Sequence, residues 1–475
     1  MSQHQGTPRD GEKAAKTNKW RTSLTSACII LCQFMIPMGA GINGSLHIAE
    51  GLGAPPEQAL WIVASYPLTQ GTFIIVGGRI GAVYGHKITA VVAGAAWVIF
   101  HLIAGFMRNV ISLCVMRALS GIGAAFIMPN AIALIPINFP PGKTRNLTVG
   151  LFGAMAPIGP AGGSVFPGLF GQLLPWWWLF FFLAILGTFV YGLFFLVVEG
   201  EDQPMDRNGK IDYVGAYFGV AGQASLVGWD HPYVYVILLL SLLHLVVFGF
   251  LEAKVIDQPI MPMGIWASPS FSMMIVSAFI SFMSFGMLLW YVTVWNQEVR
   301  GYSVLLNAAA FVPLTVGGAG AAILSAHIVR YVAAQYIFAI GSLATLVSLI
   351  LIATMPEQQS YWAQVFPALL LASLGPDFLF TASQLITSGT VKRSQQGVAG
   401  SLIGTVLAYG LATGRGFAGT VEYYTNNQGK DLVKGYRNGL YLGIGMAGAA
   451  VVLPLLSVRI PKEMREGWDE ETIAE

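Results

Sequence analysis

Charge is scarce in this chain: Asp, Glu, Lys and Arg make up 10% of its 475 residues, against roughly 25% in ordinary soluble domains. With 55% hydrophobic residues, it could not solvate a water-facing surface of that size. Cysteine is nearly absent as well. Cys28, Cys32 and Cys114 all fall inside apolar runs, where they read as small packing residues and suggest neither a disulfide framework nor a metal site. No close His/Glu cluster has metal-ligand spacing and no nucleophile–base pair stands out, so nothing suggests an enzyme. A Gly-x-x-x-x-Gly-Lys-Ser/Thr loop is missing, which leaves ATP-driven pumping without an engine. The net charge of +2 carries no footprint for nucleic acid. No cofactor is expected.

What the chain has instead is a series of apolar runs of about twenty residues, the length that crosses a bilayer as a helix. The first six cover 22–43, 57–79, 88–107, 110–136, 147–171 and 175–198. A weak run at 213–228 and a strong one at 232–251 follow, then 271–295, 302–328, 332–355, 361–389, 397–421 and 436–458. The count is fourteen with the weak seventh run, whose 16 residues span roughly 24 Å of a core roughly 30 Å thick. The expected organisation is an all-α membrane protein with cytoplasmic tails at 1–21 and 459–475. Between them lie a six-helix bundle at 22–198, a connector with two linker helices at 199–270, and a second six-helix bundle at 271–458.

Lysine and arginine test that count, because cytoplasmic loops are enriched in them. Fourteen spans with both termini inside place eighteen of these cations inside and five outside. Arg117 and Arg415, within spans, complete the 25. Removing the seventh span gives fifteen inside and eight outside, a poorer split. The polar first twenty residues lack the apolar core of a cleaved signal and read as a retained tail.

The loop Gly78-Arg79-Ile80-Gly81-Ala82-Val83-Tyr84-Gly85-His86-Lys87 has the pattern of a very short turn clamped between two membrane helices, where glycine lets backbones approach. It resembles the signature loop of major facilitator superfamily transporters, roughly G-x-L-A-D-R-x-G-R-K, with Ala82 in place of the acid. A six–two–six arrangement is similar to the fourteen-span drug:proton antiporter branch. Trp61 to Thr69, Gly414 to Glu422 and Gly435 to Gly439 resemble fungal members, the aminotriazole- and borate-resistance exporters. The resemblance implies gating by Gly78, Arg79, Gly81, Gly85 and Lys87, and altered gating at Ala82.

Span five carries Pro157, Gly159, Pro160, Gly162 and Gly163. This resembles the antiporter pattern G-P-x-x-G-G, one residue short. The residues weaken the helix and favour close packing against the other bundle.

An ionisable side chain within a bilayer needs protein or water around it. Arg117, ahead of a small-residue face, resembles a second family signature that lines the central cavity. The alternative is an arginine satisfied by neighbouring carbonyls that holds the bundle together. Asp377 follows Gly375-Pro376, a pair that can break a helix where transporters bind ligands. A proton-coupled carrier needs a group that loses and regains a proton within the barrier, and Asp377 is the clearest acid for it. A structural pairing with Arg415, or a helix cap, is the other reading. Arg415 is itself a candidate for proton coupling or the cavity, with snorkelling at the lipid face as its alternative. Trp61, Tyr66, Gln70, Asn130, Trp290, Asn307 and Gln384 are expected to complete the cavity, each also open to a packing role. Asn43-Gly44-Ser45 matches a glycosylation acceptor close to the membrane. The expected protein is a monomeric multi-pass carrier in the bilayer of a fungal-type plasma membrane. It exports a small-molecule drug, toxin or secondary metabolite against protons. An uptake symporter or facilitator, and a transporter-like sensor or inactive product, are the alternatives.

Overall fold

The computed structural model describes residues 19–40, 44–55, 58–139, 173–200, 263–328, 331–390, 396–427 and 430–458, with scattered positions in 144–170 and 243–261. Every regular element among them is helical. In the first half α1 is Lys19–Ala40, α2 Ala59–Tyr84, α3 His86–Ala104, α4 Val110–Asn138 and α5 Trp178–Val197. In the second, α6 is Pro269–Val294, α7 Val312–Ile328, α8 Ala334–Thr354, α9 Leu374–Thr390, α10 Gln396–Thr425 and α11 Leu432–Ser457. Short helices at Ser45–Gly51, Val304–Ala310 and Val365–Ala372 precede α2, α7 and α9.

Ten stretches among the described residues are long and apolar enough to cross a membrane. The expected runs at 213–228 and most of 232–251 lie outside the described residues.

Helix starts follow local chemistry. The Asn109 side chain accepts the Ser112 amide at 2.8 Å, Ser268 caps α6 ahead of Pro269, and Asp431 accepts the Lys434 amide at 3.0 Å. Each satisfies an amide that the first turn leaves orphaned.

Three expectations about the spans change. The loop at 78–87 is mostly helix: α2 continues to Tyr84 and α3 begins at His86. Gly85 alone makes the turn, with φ +108°, a conformation that side-chain-bearing residues rarely adopt. The run at 302–328 is interrupted at Phe311, between Val304–Ala310 and α7. The run at 361–389 breaks at Ser373, so Gly375-Pro376 falls in the first turn of α9. There the proline's missing N–H costs nothing, since that amide would have no intrahelical acceptor.

In the first half α2, α3 and α4 pack on one another, and α1 and α5 close the bundle around Ile62, Tyr66, Trp97, Leu134 and Phe180. In the second, α6 lies against α10 and α11, and α8 against α9 and α11, around two cores that include Tyr291 with Leu440 and Phe338 with Ile403. The outward faces carry exposed Ile88, Val92, Leu196 and Ile323. That arrangement suits a lipid surround, in which helices associate by close packing rather than by escape from water. The halves meet where α2 runs along α10.

Candidate functional site

Arg117 projects from α4 into the interior of the first bundle and is 1% exposed. Its Nε donates to the Ile62 carbonyl and its Nη1 to the Gly39 carbonyl at 3.1 Å. The guanidinium lies over the Tyr66 ring, 5.4 Å from its centroid. Tyr66 donates its hydroxyl to the Ile36 carbonyl at 3.1 Å and receives the Trp97 indole N–H at 3.0 Å. His101 stacks on Trp97 with ring centroids 3.8 Å apart. Its Nδ1 faces the Trp97 carbonyl at 2.9 Å, an acceptor only, so Nδ1 carries the proton. α1, α2, α3 and α4 are thus tied together by one buried polar cluster. Arg117 and Tyr66, expected at a cavity wall, are enclosed.

Asn130 is enclosed too. Its amide donates to the carbonyls of Gly77 at 3.0 Å and Phe126 at 2.6 Å, and its Oδ1 lies 2.7 Å from His86 Nδ1. A side-chain carbon on Gly81 would fall on Asn130 Oδ1. The signature glycine therefore makes room for a latch joining α2, the start of α3 and α4. Asn307 is buried as well, accepting from the Asn296 amide at 3.0 Å. Tyr66 and Asn130 spend their polar groups on contacts within the first bundle, whereas Asn307 Nδ2 is buried without a hydrogen-bond partner among the described residues.

The remaining candidates keep access. Trp61, Gln70 and Trp290 are half-buried and Gln384 is exposed. α9 buries Phe378, Leu379, Ala382 and Ile386, and helical spacing places Asp377, Thr381 and Gln384 on the opposite face. Thr381 reaches α7 through Ser325, hydroxyl to hydroxyl at 3.0 Å. Asp377 is half-buried, and its Oδ2 has no hydrogen-bond partner among the described residues. A stripe of this kind facing lipid would be costly, so it suits a water-containing interior.

Arg415, half-buried on α10, follows Gly414, which brings α10 against the Met283 backbone of α6. Its Nε is likewise unpartnered among the described residues. No ion pair among those residues joins it to Asp377, which removes the structural pairing considered from sequence.

Between the halves, the Thr72 and Tyr409 hydroxyls are 2.6 Å apart, Gly71 faces Ala408 and Thr405, and Gly78 faces Ser401. Sequence reasoning passed over Tyr409, Thr72 and His86, although each is a polar group in an otherwise apolar setting. Of the gating loop, Arg79, Ala82 and Lys87 are half-buried. Lys87 lies 5.5 Å from the Phe195 ring centroid. In span five, Pro157, Pro160 and Gly162 lie outside the described residues, as does Asn43. A side chain on Gly159 would strike Pro37 of α1, so this described position packs within its own bundle, not across to the other. Gly163 is a helical residue. A groove of about 460 Å³ lies elsewhere, lined by Ile80, Tyr84, Val92, Phe100 and Phe126, and is too apolar to recognise a polar solute.

Comparison with known proteins decides the family. The Major Facilitator Superfamily pattern matches residues 27–415. The chain belongs to the major facilitator superfamily.

Three fungal relatives of this superfamily align over most of their length. A low affinity ammonium transporter of Saccharomyces cerevisiae is 32% identical over 464 residues, covering 93% of this chain and 89% of that one. The efflux pump terJ of Aspergillus terreus is 30% identical over 450 residues, covering 90% and 86%. The aminotriazole resistance protein of Saccharomyces cerevisiae is 30% identical over 433 residues, covering 87% and 80%. The resemblance drawn from the Gly78 loop and the flanking motifs is therefore borne out. Among solved structures, a POT family transporter in complex with a thioalcohol-conjugated peptide superposes with a TM-score of 0.64 at 15% identity. It covers 92% of this chain and 94% of that one, and at that identity the match speaks for the fold. The protein is a multi-pass membrane transporter and not an enzyme.

Proposed function

We propose that this transporter exports a small molecule in exchange for protons, with Asp377 as the group that takes up and releases the proton. The observation that carries this reading is the Asp377 carboxylate on the polar face of α9. It stands just beyond a break in a membrane-spanning stretch, with one oxygen unpartnered among the described residues. A carboxyl in such a setting can change protonation as its access alternates. Arg415, Gln384, Trp61, Gln70 and Trp290 complete the proposed binding region. The names of the efflux pump and the aminotriazole resistance protein support export.

The proposed organisation is fourteen spans. Bundles at 22–198 and 271–458 rock about the α2–α10 seam, linker helices lie in 199–270, and both termini face the cytoplasm of a plasma membrane. The protein is proposed to act as a monomer. Arg117 belongs to the frame of the first bundle rather than to the transport route. The test is retention of a fluorescent or labelled compound in cells expressing the chain. Export lowers retention, and a protonophore restores it.

A second reading, uptake of a small solute, is favoured by the relative named for ammonium transport. It predicts the opposite sign: expression raises accumulation.

A further inference from the structure

Two arginines at one end of the second bundle both contact Met355. Arg300 ends the π-helical turn Trp295–Val299 that follows α6, and Arg437 lies in the second turn of α11. Both reach Met355, the residue that closes α8. Arg300 Nη2 approaches its sulfur at 3.6 Å, and Arg437 Nη2 donates to its carbonyl at 3.1 Å. Arg300 Nε also points to the Glu357 carbonyl at 3.5 Å, and Tyr302 is its other polar neighbour. Trp295 forms a floor, with its ring centroid 5.7 Å from the Arg437 guanidinium carbon.

Every hydrogen-bond acceptor named here is neutral. No ion pair among the described residues includes either arginine, although Glu298 and Glu357 are near in sequence and exposed. Arg300 Nη1 and Arg437 Nε are buried with no partner among those residues. Lys434, one turn before Arg437, is exposed and adds a third positive charge. Guanidinium groups with spare N–H donors match the forked geometry of an oxyanion. We propose that Arg300 and Arg437 form a binding site for a phosphate or carboxylate group at this end of the second bundle. The group comes either from a dissolved anion or from an anionic lipid headgroup. Its occupant braces the π-helical turn against α8 and α11.

The test follows thermal unfolding of the purified full-length protein while inorganic phosphate is titrated against chloride at equal ionic strength. One series uses nanodiscs of phosphatidylcholine alone, and a second includes phosphatidylglycerol. The expected result is a saturable rise in Tm specific to phosphate, or to phosphatidylglycerol. In Arg300→Gln and Arg437→Gln its half-saturation weakens on the order of tenfold, as the loss of one charge-assisted hydrogen bond implies. Exposed Lys430→Gln leaves it unchanged. Arg437→Lys, which keeps the charge and loses the fork, also weakens it and serves if the glutamine variants do not fold. A phosphate response that persists with phosphatidylglycerol present assigns the site to a dissolved anion. A response that phosphatidylglycerol abolishes assigns it to the headgroup. No response to either anion source, or one that every arginine variant retains at the same half-saturation, overturns the proposal.

Discussion

Tyr409 of α10 donates its hydroxyl to Thr72 of α2 across 2.6 Å. The direction follows from Thr72 itself, whose one hydroxyl proton goes to the Leu68 carbonyl at 2.7 Å. This bond joins the two halves of the transporter at a seam where Gly71 lets Ala408 approach closely.

Tyr409→Phe removes the bond and leaves the ring. A net hydrogen bond of about 1 kcal/mol corresponds to a shift of roughly fivefold between conformations in which this seam is closed and open. Spin-label distances between the two halves report that shift, and an unchanged distribution assigns the seam no role in the equilibrium.

Gly81 and Gly78 stand three residues apart in one signature and are expected to respond differently. Gly81→Ala drives a methyl into Asn130 Oδ1, whereas the nearest atoms to a carbon at Gly78 lie at 3.4 and 3.5 Å, ordinary contact distances. Gly81→Ala is expected to lower stability by about 1–3 kcal/mol through overpacking and disruption of the Asn130 latch. Gly78→Ala is expected to be near neutral. Unfolding midpoints of the two purified variants make the comparison.

Arg117→Gln leaves the Gly39 and Ile62 carbonyls short of a donor inside the first bundle. The expectation is a loss of roughly 2–4 kcal/mol of stability, with KM for substrate little changed in the protein that folds. A large KM increase at unchanged Tm would return Arg117 to the transport route.

Ala82 lies at the C-terminal end of α2, just before the Gly85 turn and the start of α3. Ala82→Asp restores the acid of the superfamily's signature near the α3 N-terminus, where negative charge is favoured. It is expected to shift the equilibrium towards the outward-facing state and to reduce labelling of cysteine probes in the cytoplasmic half of the cavity. Equal labelling in mutant and parent would count against this.

The membrane fold was legible because bilayer thickness constrains run length. The runs at 110–136 and 332–355 became α4 and α8 within a few residues. Gly85 was legible as a turn residue, but its neighbours were not legible as helix, since a glycine used for close packing and one used for positive φ look alike in sequence. The site divided along the same line. Asp377 could be picked out because an acid within a span needs a reason. Tyr66 and Asn130 read as cavity residues because a polar side chain does not announce whether its partner is a ligand or a group on another helix. The Ile62 and Gly39 carbonyls that hold Arg117 are backbone atoms far from it in the chain, and no spacing rule points to them.

The most direct measurement is proton-coupled substrate flux in proteoliposomes, comparing the parent with Asp377→Asn. The account predicts that an imposed pH gradient drives transport in the parent, while the variant still binds substrate but loses the response to the gradient. Equal gradient-driven flux in both would contradict it.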